Sequence, residues 1–526
     1  MKMKKKWNWA LGGVILFHLG INLAWLLTDK TPPAWDQAAH IRSVILAISP
    51  MGFFEKIRSF GGYPPLIYGL GAVWVKMMGV GVDRIVFLNS VFLGLLLWGE
   101  WKLLGLFVKK KWRFGGVLLF SLFPVVYQTS REFLLDLPLM GAVVWGLWAW
   151  IKSRDFLIWK YGLCFCLCLI VASLTKLNGF IYFGPMGLIS LVRLLRQKKW
   201  GRLENLFVIG LLWLGGVAWW WVINFNNIVN YLTGLAGQGE PLTDPMNLLS
   251  IVTWGHYFKL FFLHQLGPVT SVVFFVSLIY WWRKRKKGER NLLWWILINY
   301  VIFTVIKNKD FRFTMPLLMA IAVIMILGIK NMAKKWRTWV FGGVSIFLLV
   351  NLLANSFGVF GEKGFKLSYK SALFGWVDVV NFSGEYPVKK QRREVWPNGE
   401  IVGDLEKLSL VEERKIRVLV LINREEVNDN NLAMYREMRA YKGFDLGSVG
   451  ARSQFVTEKE LIDFLKNFDY VLVPDKTYEV APFYGINLRA YEQARDYVLK
   501  NWGENAKTYQ VFSDKNLFLK RNIFVE

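Results

Sequence analysis

Two aspartates carry the chemistry that this chain could perform. Asp36 lies in Pro33-Ala34-Trp35-Asp36-Gln37-Ala38-Ala39-His40, and Asp136 in Ser130-Arg131-Glu132-Phe133-Leu134-Leu135-Asp136-Leu137-Pro138. Each stands at the edge of an apolar segment, where an ionised side chain is costly and usually functional. A carboxylate partly desolvated there has its pKa raised towards that of a general base. Each also has a structural reading. Asp36 would N-cap a helix starting at Gln37, and Asp136 would open a helix with Pro138 in its first turn. His40 falls one helical turn after Asp36, on the same face. Arg131, five residues before Asp136, is a candidate ion partner for it.

Cations accompany the acids. Lys176, in Thr175-Lys176-Leu177-Asn178-Gly179, interrupts two apolar runs, and Lys307, Lys309 and Arg312 form a second cluster. Placed at the outer edge of a membrane domain, they suit a bound anion such as a lipid phosphate. The plainer reading is snorkelling of long side chains to headgroups. Tyr182, Asn224, Asn226, Asn227, His256 and His264 are candidate sugar or phosphate contacts, and His18 and Asn22 read as interhelical packing. Four dispersed histidines and the absence of cysteine outside one apolar run argue against zinc. A divalent cation between Asp36 and Asp136 is the one candidate cofactor, and Gln37 removes the most convenient further carboxylate for it.

The elements that must position these groups divide near residue 358. Before it, apolar runs of roughly 16 to 25 residues recur, the length needed to cross a hydrocarbon core. Residues 1–359 hold about 39 Lys and Arg against about 13 Asp and Glu, so about +26 of the net +27 lies in this half. The basic residues form six short clusters between apolar runs: 2–6, 109–113, 152–160, 193–202, 283–290 and 330–337. That is the pattern of membrane topology and not of a nucleic-acid partner.

With all six clusters in the cytoplasm, the spans fall at about 8–28, 84–108, 112–129, 134–151, 157–174, 178–195, 203–223, 267–282, 291–306, 313–329 and 338–357. About eleven spans put the N-terminus inside and the C-terminal domain outside the plasma membrane. Asp36 and Asp136 then share the outer face. Residues 64–79 would reverse this parity as a span, but two prolines, a short length and Lys76 fit a helix lying in the outer interface. Lys2 to Lys6 before an apolar run resembles a signal peptide, but no small-residue cleavage site follows, so the first helix is read as retained. Cys164, Cys166 and Cys168 point around one helix and read as packing residues.

Residues 359–526 read as a soluble α/β domain. The expected strands are 417–422 and 470–474, the expected helices 430–441 and 459–466, and a hairpin joins 509–512 to 517–520. The domain shows no phosphate loop, ligand cluster or nucleophile motif. Acceptor contact and a structural cap both stay open as its role.

Five motifs occur in order: Trp35-Asp36-Gln37-Ala38-Ala39-His40; Tyr63-Pro64-Pro65-Leu66; Ser130-Arg131 with Leu134-Leu135-Asp136; Thr175-Lys176 with Gly179; and Arg312-Phe313-Thr314-Met315-Pro316. Over residues 8–330 this resembles the GT-C glycosyltransferases related to protein O-mannosyltransferases and lipid A aminoarabinose transferases. The resemblance implies a polytopic α-helical membrane enzyme with interfacial helices in its first outer loop. It would transfer a sugar from a polyprenyl-phosphate donor to a hydroxyl acceptor, with Asp36 as base and Asp136 helping to build the site. Two departures stand out. The family often has Asp-Glu where this chain has Asp36-Gln37, and the aminoarabinose transferases carry a lysine where this chain has Tyr63. Phosphate binding then leans on Lys176 and Arg312, and a protein or glycan acceptor fits better than lipid A. A transporter of lipid-linked sugars would instead show internal repeats and discontinuous helices, and the sequence gives no sign of either. A membrane-anchored receptor or scaffold would need no acids within the membrane domain.

Overall fold

The structure is a computed structural model that describes residues 2–59, 63–230, 247–306, 308–361, 364–371, 375–384, 388–449, 455–475, 488–503, 505–512 and 515–523. The chain forms two compact units. One comprises Met1–Thr28, Phe53–Gly71 and Val86–Gln391; the other comprises Asp29–Gly52, Ala72–Ile85 and Arg392–Glu526.

The first unit is almost wholly helical, and every apolar segment read as a span contains helix. Among the described residues, five helices are able by length and composition to cross a membrane: Trp9–Thr28, Val82–Leu104, Leu177–Arg196, Trp200–Ile223 and Lys334–Phe357. Others are shorter, because local chemistry interrupts them. Pro124 starts a new helix, Pro124–Thr129, after Lys110–Ser121 ends. A 3-10 turn at Phe311–Thr314 precedes Leu317–Asn331. The fifteen residues of that last helix rise about 22 Å, less than a hydrocarbon core. It is buried at every position from Leu317 to Ile329, so it serves as a core around which other helices pack.

One helix break was not legible in the sequence. Ile251–Gln265, ending in a π-helical turn, meets Pro268–Lys284 at 116°. Gly267 makes the corner at φ +77°, a conformation that favours glycine, and Pro268 opens the next helix. The first unit ends in a two-stranded antiparallel sheet, β1 (Lys366–Ser371) and β2 (Gly375–Asn381).

In the second unit, β3 (Ile416–Val420), β4 (Phe444–Ser448), β5 (Tyr470–Pro474), β6 (Asn505–Phe512) and β7 (Lys515–Arg521) form a sheet in the order β4-β3-β5-β7-β6. β4, β3 and β5 are parallel, and β7 and β6 form the expected antiparallel terminal hairpin. Alternation sorts the side chains. Val418, Val420 and Leu472 face Asn398–Val411 and Asp429–Met438, while Leu419, Leu421 and Val471 face Glu458–Leu465 and Leu488–Asn501. β4 and the helices Asn398–Val411 and Leu488–Asn501 are additions to the sequence reading.

Close helix packing in the first unit depends on a small residue. A Cβ on Gly328 would stand 2.0 Å from the Ser277 carbonyl oxygen, a backbone atom that has no rotamer to move. Gly328→Leu should lower the thermal midpoint of the detergent-solubilised protein, since overpacking of this kind costs about 1–3 kcal/mol. Gly210→Ala, which meets nothing within 4 Å, should leave the midpoint unchanged or higher. Equal melting of Gly328→Leu and the wild type would refute the contact.

Candidate active site

In the first unit the break between two helices creates the centre. Trp159–Thr175 ends at Lys176, whose backbone is extended at φ −145° and ψ 140°, and a 3-10 turn, Leu177–Tyr182, follows. Gly179 permits this, because a Cβ there would lie 2.1 Å from the Ala172 carbonyl oxygen and 2.5 Å from its carbon. The extended residue sends the Lys176 ammonium to Asp136, the first residue of the helix Asp136–Ser153. Nζ donates to Oδ1 at 2.7 Å. Asp136 is 4% exposed, so the pair sits where an isolated carboxylate would be strongly disfavoured.

Arg312 reaches the same carboxylate from the 3-10 turn Phe311–Thr314, with Nη1 3.9 Å from Oδ2. Asp310 orients that arginine. Its Oδ1 accepts from the Arg312 backbone N–H at 2.8 Å, and its Oδ2 accepts from Nε at 2.7 Å and lies 2.5 Å from Nη2. Asp310 is thus both the cap of the turn and the clamp on its cation. Burial alone would push the Asp310 carboxyl up, but charge and hydrogen bonds from Arg312, with Lys176 beyond, hold it below its ordinary value. The Phe313 ring lies 5.6 Å from the Lys176 ammonium. Tyr182 donates to the Phe313 carbonyl at 2.8 Å, and Gln265 donates to Phe311 O and Thr314 Oγ1. Cations and acids therefore alternate as Lys176, Asp136, Arg312 and Asp310. Sequence reading missed Asp310; its signal was the two-residue spacing to Arg312, which is that of a turn cap.

Other expected residues have different settings. Arg131 is buried and donates from Nε to Asn22 at 3.0 Å and from Nη1 to Ser356 at 2.6 Å. Asn22 donates in turn to Ser90 and Ser130. These bonds make Arg131 a tie between helices, and the ion partners of Asp136 described above are Lys176 and Arg312. Lys309 donates to the Thr304 and Ile306 carbonyls at the end of the helix Arg290–Val305. Asn224 and Asn227 donate to the Ile57 and Arg58 carbonyls, and so hold backbone. His256 is half-buried on Ile251–Leu260, edge-on to Tyr257. Tyr63 is half-buried at the start of the Pro64-Pro65 segment. Lys307 lies outside the described residues.

Asp36 and His40 belong to the second unit. Their helix, Trp35–Leu46, begins at Trp35 with Ala34 at its N-cap, so Asp36 is a first-turn acid and not the cap of a helix starting at Gln37. Asp36 is half-buried and His40 buried one turn on. The C-terminal residues hold this segment. Trp35 Nε1 donates to Asn423 Oδ1 at 2.8 Å, Asn431 Nδ2 donates to the Pro33 carbonyl at 2.6 Å, and Arg42 pairs with Glu437 at 3.5 Å. Asp29, at the loop's start, accepts from the Arg392 N–H at 2.7 Å, and burial pushes its carboxyl up to about 6. Among the described residues no group of three or more His, Cys, Asp or Glu is placed to hold a metal ion.

No protein-family model and no curated protein matches the chain. Solved structures do. ArnT from Cupriavidus metallidurans in the apo state aligns at TM-score 0.60 and 13% identity, over 97% of this chain and 98% of that one. The same protein bound to undecaprenyl phosphate aligns at TM-score 0.58 and 13% identity, over 96% and 98%. The Archaeoglobus fulgidus oligosaccharyltransferase aligns at 0.52 and 11%, over 96% of this chain and 73% of that one. The fold is that of the GT-C glycosyltransferases. Identities this low establish the GT-C fold and leave the chemistry to the residues themselves.

Lys176→Met would leave Asp136 buried with a weakened partner set, and should destabilise the protein by about 3–5 kcal/mol in denaturation experiments. Adding Asp136→Asn should recover much of that loss; two additive single effects would show that the pair is not coupled. The depressed Asp310 carboxyl stabilises the fold above the unfolded value near 4 and loses that contribution as pH falls through the folded pKa. Asp310→Asn should therefore flatten the acid side of the thermal-midpoint profile, and an unchanged slope would count against the clamp.

Proposed function

We propose that this chain is a membrane glycosyltransferase that moves a sugar from a polyprenyl-phosphate donor to a hydroxyl on a protein, glycan or lipid acceptor. The observation that carries this reading is the Lys176–Asp136–Arg312 array within a GT-C fold. ArnT, which shares that fold, has been solved with undecaprenyl phosphate, the anion class that such cations would hold. Lys176 uses one N–H on Asp136 and keeps the others for a phosphate oxygen. The buried acid fixes the ammonium in place beforehand, which is how a preorganised site stabilises developing charge.

In the proposed step the acceptor oxygen attacks the anomeric carbon from the side opposite the phosphate. Asp36 takes the hydroxyl proton, the C1–O bond to phosphate breaks, and polyprenyl phosphate leaves with the electron pair. Configuration at the anomeric carbon inverts. The C-terminal unit contributes by holding Trp35 and Pro33, and through them the first turn that bears Asp36. With the basic clusters in the cytoplasm, the reaction runs at the outer face of the plasma membrane, where no nucleotide sugar is required. The other reading is a transporter of lipid-linked sugars, and the bent pair Ile251–Gln265 and Pro268–Lys284 is the one observation in its favour.

Turnover of polyprenyl-phosphate sugars, scored as release of free polyprenyl phosphate, separates the two. Asp36→Asn should lower turnover by about a hundred- to ten-thousand-fold while donor binding persists, and Lys176→Ala should raise the donor KM. A folded Asp36→Asn protein with full activity would remove the base assignment. Passage of the intact lipid-linked sugar across proteoliposomes without phosphate release would favour the transporter.

A further inference from the structure

A cavity of mixed polar and apolar lining lies within the first unit, walled by the corner at Leu263–Pro268, the end of the helix Lys334–Phe357 and strand β2. The space between these walls, open solvent at its mouth included, is about 730 Å³. Trp376 on β2 lines it and is 70% exposed. Among the described residues its indole makes no hydrogen bond and stacks on no other ring, so one apolar face and one N–H donor are on offer.

Phe347, Leu348 and Val388 give the lining an apolar side, and its polar groups are held in place. Asp378, on the same strand, accepts from Ser368 at 2.6 Å and lies 3.3 Å from the Lys366 ammonium, which fixes a carboxylate at the rim. Asn351 accepts the Tyr127 hydroxyl on Oδ1 at 3.0 Å, and among the described residues its amide N–H groups make no hydrogen bond. Asn355 is braced by the Asn381 carbonyl and the Gly384 N–H, each at 2.9 Å. His264 completes the lining. An unstacked aromatic face beside a carboxylate and amide donors matches a pyranose ring, which offers a flat C–H face edged by hydroxyls.

We propose that this cavity is a saccharide subsite for the acceptor, which makes the acceptor a glycan. The assignment rests on the glycosyl-transfer reading for the word acceptor, and on the cavity alone for the word saccharide. Its link to the cation site is physical. Gln265, in the turn that walls the cavity, donates to Phe311 O at 2.5 Å and to Thr314 Oγ1 at 2.8 Å, and those atoms belong to the turn that carries Arg312. Occupancy of the cavity therefore bears on the segment that positions the phosphate-binding arginine.

Binding of soluble neutral saccharides, from methyl hexopyranosides to maltoheptaose, to the full-length protein in nanodiscs tests the proposal by saturation-transfer NMR and tryptophan fluorescence. At least one probe should saturate, Trp376→Ala should abolish its signal, and Asp378→Asn should weaken it about tenfold, a change of roughly 1.4 kcal/mol. Trp339→Phe, which removes an indole 71% exposed on the helix Lys334–Phe357, should leave binding unchanged. Equal binding by Trp376→Ala, or no saturation by any probe, overturns the subsite. So does quenching of Trp376 fluorescence by brominated lipid that saccharide does not relieve, since it makes the indole a bilayer contact. Polyprenyl-phosphate binding measured in parallel with Lys176→Ala reports on the transferase reading separately.

Discussion

A buried carboxylate must find positive charge, and Asp136 imposes that demand on the first unit. Its pairing with Lys176 at 2.7 Å explains why a helix stops at Thr175 and why Lys176 is extended. It also explains why Gly179 must follow to let the chain pass Ala172. The same demand brings in Arg312, and the arginine then requires Asp310 to hold its turn. Helix interruptions that look like separate irregularities therefore serve one electrostatic centre. In an apolar environment each such interruption is tolerated only because side chains take up the freed backbone groups, as Tyr182 and Gln265 do at Phe313 and Phe311.

Arg131 shows the complementary case. It is as close to Asp136 in sequence as any cation, yet its bonds to Asn22 and Ser356 tie the first helix to Lys334–Phe357. Trp25 and Tyr127 rings flank its guanidinium at 5.6 and 5.3 Å. A planar cation with several donors suits a junction of helices, whereas the compact ammonium of Lys176 suits a single carboxylate and a transient anion. In this unit the burial of polar groups serves both architecture and chemistry, and residue type helps to decide which.

The second unit adds a different principle. Asn423, just after β3, and Asn431 and Glu437 on the helix Asp429–Met438 hold the start of the helix Trp35–Leu46, so the turn that bears Asp36 has a fixed backbone. The base proposed at Asp36 would need that kind of positioning, because small displacements from a productive geometry reduce rate steeply. The two roles first considered for the C-terminal domain, acceptor contact and cap, are thus joined by a third, support of the helix that bears Asp36.

Periodicity and composition made much of this legible. Apolar run length located helix in every expected segment, and β-type runs located β3, β5 and the terminal hairpin, because burial on both faces of a strand leaves a local signature. Asp136, Lys176 and Arg312 were conspicuous as charges at the ends of apolar runs, but that they meet one another was not legible. What the sequence did not disclose depends on contacts between distant residues. Asn423 and Asn431 as anchors and Arg131 as a tie follow from partners about a hundred to four hundred positions away, whereas the Asp310 clamp and the 116° corner at Gly267 are local features whose role appears only once their surroundings are folded. A chain alone determines which groups are costly to bury; only the tertiary structure decides which neighbour offsets that cost, because the offset is a distance in space and not a spacing in sequence.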